Sequence, residues 1–386
     1  MTVSRRKLLA GIGATFLMSQ IKTTAFAEAL KRTGLKDYYA KDFKIGTAIG
    51  VDILEKEDQE LSALVAREFN SITPENCLKW ERVRTADGGW NFNYGDKFVE
   101  FGVKNAMYTV GHTLAWHSQI PDSVFKNDKG NYISAEQLKK KMEHHISTLV
   151  GRYKGKIMAW DAVNEAIDDG AGNPMRNSHY FNILGEDFIS HAFNVAHETD
   201  PNAHLIYNDY NIEQTGKHKA AIALLKRLQK KAVPISGVGI QAHLNISGPS
   251  VEQIEESILN FAKLGLRVHL TELDIDVLPQ VWNLPIAEVS TRFDYTPARD
   301  PYKNGLPKEI EDQLAKRWES LFEMLIRNRA HIERVTTWGV SDDISWLNDF
   351  PIKGRTDYPL LFDRKRTPHD AYARLVNLKK SNDSDP

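Results

Sequence analysis

Eight times between residue 43 and the C-terminus, an apolar run of strand length gives way to a stretch with helical periodicity. That alternation constrains the chain more than any other feature. Strands joined through helices run parallel, and a parallel sheet is covered on both faces. The strand runs are 43–49, 71–76, 107–116, 157–165, 204–211, 235–244, 267–275 and 332–340. Between them the helical spacing is regular. Leu61, Leu64, Val65 and Phe69 share one face, and Leu138, Met142, Ile146, Leu149 and Tyr153 share another. Ser134 with Gln137, and Ser250 with Gln253, read as capping boxes at two helix starts. A single helix is expected over 180–198, stopped by Asp200 and Pro201. Eight such units without a second composition regime predict an α/β fold: one closed (β/α)8 (TIM) barrel spanning residues 28–380. An open doubly wound sheet is the alternative. It would carry a Gly-rich phosphate turn after the first strand, and Gly46 to Gly50 (GTAIG) is not that fingerprint.

The strand ends carry the chemistry. The run Ile157 to Glu165 (IMAWDAVNE) is apolar along its body and finishes in an amide and a carboxylate, Asn164 and Glu165. The run from Arg267 to Asp274 repeats the design, with Glu272 at the tip. Polar and aromatic residues gather after the other strands too: Glu75, Asn76 and Lys79; His112, Trp116, His117 and Gln119; Asn208, Asp209, Tyr210 and Asn211; Gln241 and His243; Trp338 and Trp346. In a barrel all of these converge on one face. Two carboxylates on separate strand ends, ringed by aromatics and amides, suit glycoside hydrolysis, where one acts as acid and the other as nucleophile or base. A metal site built from His112, His117 and His243 is a competing use, but no two show helical i, i+4 spacing, so no metal or other cofactor is expected. A lone glutamate at a strand end is usually a salt-bridge partner. It is the repetition of the register that favours a site.

Residues 1–27 stand apart. A twin arginine, Arg5 and Arg6, precedes an apolar segment too short to span a bilayer, and Ala25 to Ala27 offers a small-x-small cleavage site. This reads as an export signal, with an uncleaved anchor as the alternative. A periplasmic or extracellular protein is expected. Without that segment the chain has 46 basic and 51 acidic residues, net −5, with no charged block. Neither a nucleic-acid nor a membrane partner is indicated. The one cysteine, Cys77, has no internal disulfide partner and reads as a small buried hydrophobe. A long irregular segment, 276–308, follows the seventh strand beside Glu272, where long loops tend to be functional. The last residues, 381–386, are polar and expected to be a disordered tail.

Six motifs, in order, resemble glycoside hydrolase family 10, the endo-β-1,4-xylanases of the larger Asn-Glu/Glu barrel clan. They are GHTLAWH at 111–117, WDAVNE at 160–165, NDYN at 208–211, GIQAHL at 239–244, TELD at 271–274 and WGVSDD at 338–343. The resemblance covers roughly residues 40–375. It implies that Glu165 is the general acid/base and Glu272 the nucleophile of a retaining, double-displacement reaction. It implies that Asn164 bonds the sugar 2-hydroxyl and that His243 orients Glu272. Glu75, Asn76, Lys79, His112, Trp116, Gln119, Gln241, Trp338 and Trp346 resemble glycone-side sugar contacts, and Tyr210 an aglycone-side platform. A monomer acting on xylan or xylo-oligosaccharides is implied. Cys77 departs from the family pattern in its segment, and the 276–308 loop is longer than the motifs require. Another β-1,4-glycanase of the clan, acting on glucan or mixed-linkage polymer, would share the carboxylates. A non-catalytic sugar-binding barrel would have lost one of them, and this chain keeps both.

Overall fold

The computed structural model describes residues 33–55, 58–85, 87–169, 174–281 and 291–384. The export segment 1–27 lies outside them. Eight parallel strands form the barrel: β1 (Lys44–Ile49), β2 (Ser71–Pro74), β3 (Tyr108–Trp116), β4 (Ala159–Asn164), β5 (His204–Asp209), β6 (Gly237–Ile240), β7 (Arg267–Asp276) and β8 (Ile332–Thr337). Each strand pairs with the next, and β8 returns to β1 through Lys44↔Arg334 and Thr47↔Thr337, which closes the ring. The open doubly wound alternative is thereby excluded.

Helices between the strands bury the faces that their spacing marked. The helix Ala135–Arg152 starts at a reciprocal Ser134–Gln137 capping box and turns Leu138, Met142, Ile146 and Leu149 into the core. Each such side chain contributes about 1.5–3 kcal/mol of burial. Ser250 also caps its helix by accepting from the Gln253 N–H, without the reciprocal side-chain bond that completes the box at Ser134. The helix expected over 180–198 is two, His179–Leu184 and Asp187–Thr199, because Gly185 takes a left-handed φ of 59° and ends the first. The sixth strand run is broken too. Ala242 has φ 60°, and the chain resumes as a short strand, His243–Asn245, beside the end of β7. The described parts of the loop after β7 carry only a short 3-10 turn, Pro297–Arg299, before the next helix starts at Lys308. The tail expected to be disordered is helical as far as Ser384, where the last helix, Asp370–Ser384, ends.

The first described segment is tied to that last helix. Leu35 N–H and Tyr372 Oη–H both donate to Glu68 Oε2 at 2.8 Å, and Tyr39 Oη–H donates to Leu375 O at 2.9 Å. Cys77 is buried, and burial pushes its thiol up to about 12, as suits a packing residue. Among the described residues no helix is long and apolar enough to cross a membrane.

The barrel interior is polar where it approaches its upper end. Arg334 of β8 is fully buried and donates to His269 Nδ1 at 3.2 Å, Thr336 Oγ1 at 2.8 Å and Thr73 Oγ1 at 3.3 Å. Asp161 of β4 lies 3.9 Å from the same guanidinium and is bonded to His112 Nδ1 at 2.9 Å. A buried cation persists only with partners of this kind. The column leads from the barrel axis to the mouth.

Candidate active site

A cleft of about 1120 Å³ opens where the strands end. The fourteen side chains to which the resemblance gives a role all line it: Glu75, Asn76, Lys79, His112, Trp116, Gln119, Asn164, Glu165, Tyr210, Gln241, His243, Glu272, Trp338 and Trp346; Asn211 lines it too, while His117, Asn208 and Asp209, also expected on this face, do not. A second groove of about 410 Å³ lies between the helices Thr215–Lys230 and Val251–Ala262 and contains none of them.

Three buried carboxyls line this cleft, Glu165, Glu272 and Asp274, and amides join the first two. Asn208 of β5 donates from Nδ2 to Glu272 Oε1 at 2.8 Å and to Asn164 Oδ1 at 2.9 Å. Asn164 Nδ2 approaches Glu165 Oε1 at 3.3 Å, and Gln241 Nε2 donates to the same oxygen at 2.9 Å. Asn208 is itself oriented by Thr271 Oγ1–H, which donates to its Oδ1 at 2.6 Å. Only glycine fits at 239, since a Cβ there would stand 2.3 Å from Asn208 Oδ1.

Glu165 directly follows β4 and has φ 57°. Its N–H bonds Asn208 O at 2.9 Å, and Trp116 Nε1–H donates to its Oε2 at 2.8 Å. Glu272 lies inside β7 rather than at its tip, because β7 runs on to pair with His243–Asn245. A register shift between Leu270 and Leu273 sets it at the rim, where its N–H bonds Gln241 O at 2.9 Å. His243 Nε2 stands 3.3 Å from Glu272 Oε2, and His243 Nδ1 stands 3.0 Å from Asp274 Oδ2. Trp346 Nε1–H donates to that same Asp274 oxygen at 2.8 Å.

Charge follows this geometry. Burial alone would lower the proton affinity of His243, but the Asp274 and Glu272 carboxylates outweigh it and push its pKa up to about 10. Burial would likewise raise Glu272. The His243 hydrogen bond, the charges of His112 and His243, and the Asn208 amide hold it below its ordinary value instead. Nearby, burial lowers the pKa of Lys79 against the pull of Glu75, Glu272 and Glu165.

The remaining expected side chains form the walls. Lys79 Nζ donates to Asn76 Oδ1 at 3.0 Å and Gln119 Oε1 at 2.7 Å, and lies 4.8 Å from the Trp116 ring centre. Glu75 Oε1 accepts from Asn76 Nδ2 at 3.3 Å. The His112 ring meets Trp338 edge-on, with centres 5.4 Å apart. Phe350 stacks on Trp346 at 4.9 Å and lengthens that wall. Lys217 Nζ sits 3.4 Å from the Tyr210 ring centre, so at most one face of that ring serves the cleft. Among the described residues no three His, Cys, Asp or Glu side chains converge as metal ligands.

Residues 34–378 match the family described as Glycosyl hydrolase family 10. The chain belongs to glycosyl hydrolase family 10. Endo-1,4-beta-xylanase A of Xylanibacter ruminicola is 39% identical over 352 residues, covering 91% of this chain and 95% of the relative. Endo-1,4-beta-xylanase B of Paenibacillus barcinonensis is 38% identical over 338 residues, 88% of this chain and 96% of that one. Among solved structures, a family 10 endoxylanase retrieved from a sugarcane soil metagenome superposes with a TM-score of 0.86 at 57% identity, over 89% of this chain and all of the other. The family 10 chain is therefore a glycoside hydrolase.

Several contacts of this family 10 cleft have no sign in the sequence. The sequence groups Asn208 with its strand end without showing that it bridges the carboxyls. Asp274 stands in its motif without any sign of its link to His243. Asn245 and Gln214 line the cleft with no motif to mark them, and Arg292 reaches it from the long loop.

Proposed function

We propose that this family 10 enzyme is a retaining endo-β-1,4-xylanase that cuts inside the xylan chain by double displacement. The observation that carries the reading is the pair of cleft-lining carboxyls, Glu165 and Glu272, joined through Asn208 and Asn164. The xylanase activity of the relatives supports the polymer. Retention uses carboxyls about 5–5.5 Å apart, and the amide linkage is consistent with a pair held that close.

In the first step the Glu272 carboxylate attacks the anomeric carbon while the C1–O glycosidic bond breaks. The Glu165 carboxyl gives its proton to the departing oxygen. In the second step a water attacks C1, Glu165 takes its proton, and the ester bond to Glu272 breaks. His243 keeps Glu272 ionised and oriented for the attack. Asn164, with its carbonyl held by Asn208 and Gln241, turns its amide N–H toward the place of the sugar 2-hydroxyl. Glu75, Asn76, Lys79, His112, Gln119, Gln241, Trp116, Trp338 and Trp346 hold the glycone, and Tyr210 the aglycone. The enzyme works as a monomer, exported through the segment at 1–27 to the periplasm or beyond.

Proton NMR of the earliest products on plain xylan tests this. Fresh β-anomer ends on short oligomers are expected. α-Anomer ends would mean inversion and remove Glu272 as nucleophile. Cleavage of carboxymethylcellulose in preference to xylan would keep both carboxyls and move the substrate to glucan.

A further inference from the structure

Directly after Glu165 the chain folds back on itself. Ile167 and Met175 form an antiparallel bridge, and Arg176 N–H bonds Ala166 O at 2.8 Å. The fold-back delivers the Arg176 guanidinium to the main chain of Glu165. Its Nε donates to Glu165 O at 2.9 Å, and its Nη2 donates to Ile167 O at 3.1 Å and to Tyr210 Oη at 2.8 Å. Tyr210 Oη–H in turn donates to Asp169 Oδ2, which lies 3.3 Å from Arg176 Nη2. Lys217 Nζ, buried over the Tyr210 ring, joins Asp169 and Asp209 at 2.9 Å each.

Side chains from β5 hold the next two residues of the same stretch. Ala166 N–H donates to Tyr207 Oη at 3.2 Å and Ile167 N–H to Asp209 Oδ2 at 3.3 Å. Three consecutive residues are thus fixed by groups outside their own strand, where the backbone of Glu165 takes the left-handed conformation that residues with a Cβ rarely adopt. Within this cluster, Arg176 bonds both the Glu165 main chain and the Tyr210 side chain.

We propose that Arg176 is a positioning residue for the acid/base. It locks the Glu165 backbone to the Tyr210 ring, so that the carboxyl that protonates the leaving oxygen and the ring on the leaving-group side hold one fixed relation. The assignment rests on the retaining reading of Glu165. It does not require xylan as the polymer. Arg176 touches no substrate; it acts through Glu165 and Tyr210, and its loss weakens the step that needs a well-aimed proton.

The test compares R176M and R176K with wild type, as the full exported chain, on xylan and on aryl β-xylobiosides whose leaving groups run from phenol to dinitrophenol. Wild type is measured first. If it cleaves glucan but not xylan, the polymer assignment falls alone, and the same series is run as aryl cellobiosides. Removing Arg176 should cost R176M about 100-fold in kcat/KM on polymer and phenyl glycoside, the scale of a small misplacement. The dinitrophenyl glycoside needs little protonation and should stay within about threefold. R176K should fall between. An equal loss on both leaving groups would make Arg176 a merely structural residue and overturn the proposal, as would an unchanged R176M. Should R176M fail to fold, Y210F removes only the hydroxyl that Arg176 bonds. A smaller loss with the same leaving-group dependence supports the proposal, and a flat dependence overturns it.

Discussion

The two carboxyls proposed to carry the reaction, Glu272 and Glu165, are held in different ways. Glu272 has a cationic neighbour: His243, kept protonated by Asp274 behind it, stands against one oxygen while the Asn208 amide takes the other. Glu165 takes its hydrogen bonds from the indole of Trp116 and the amides of Gln241 and Asn164, and its nearest imidazole, His117, stands further off, with Nδ1 3.9 Å from Oε2. A cationic partner favours the ionised carboxyl, which a nucleophile must be. Hydrogen bonds from neutral donors fix a carboxyl in place with less bias toward its ionised form than a close imidazolium gives, which would suit a group proposed to carry a proton in one step and lack it in the next. In the proposed mechanism the two glutamates would take different work from their surroundings rather than from their own chemistry.

The severest way to break this comparison is to remove each carboxyl in turn. E272A should lose turnover on every substrate, by about 10⁴-fold or more, because no later step occurs without the covalent intermediate. E165A should lose about 10²–10⁴-fold on xylan, as expected for a lost general acid. It should still release the aglycone of an activated aryl xyloside in the first turnover, which a stopped-flow burst would show. A loss of that burst equal to the loss on xylan would remove Glu165 as the acid/base.

The barrel is legible in the sequence, and the two proposed carboxyls stand out there, for a physical reason. Strand bodies that bury both faces read as apolar runs, so Asn164, Glu165 and Glu272 stand out at places where burial has no use for them. What links those residues is not legible. Asn208 reads as one polar residue in NDYN, and its double donation depends on Gly239 in the next strand leaving room. Arg176 meets Glu165 only because a loop turns back, and nothing in its spacing announces that. The split at Gly185 is hidden because the apolar spacing continues across it. The helical end of the chain is hidden because its composition is polar, and polar composition resembles disorder.

A milder test sharpens the comparison by removing only the cationic neighbour. In H243N the burial of Glu272 is no longer offset by the imidazolium, so its proton affinity rises. The acid limb of the kcat/KM profile should move to higher pH by roughly one to three pH units, the usual reach of a close opposite charge. The alkaline limb should move far less, since His243 donates to Glu272 and not to Glu165. A shift of both limbs together would mean that the two carboxyls are not separately controlled.

The smallest effect is on stability, and its sign depends on pH. The pKa of His243 is raised in the fold from 6.5 to about 10. Its contribution is therefore fully present below about 6.5 and is lost as pH rises through about 10. Glu272 is lowered from 4.5, so its contribution is present above that value and is lost as pH falls through its folded value. Both contributions are in force together between 4.5 and 6.5. The difference in Tm between wild type and H243N should be widest in that window and should narrow as pH climbs toward 10. Thermal unfolding of both proteins at several pH values within this span measures it. A gap that stays constant would assign the role of His243 to packing on Trp346, whose ring centre lies 4.9 Å away, and would leave the low pKa of Glu272 to Asn208 and His112.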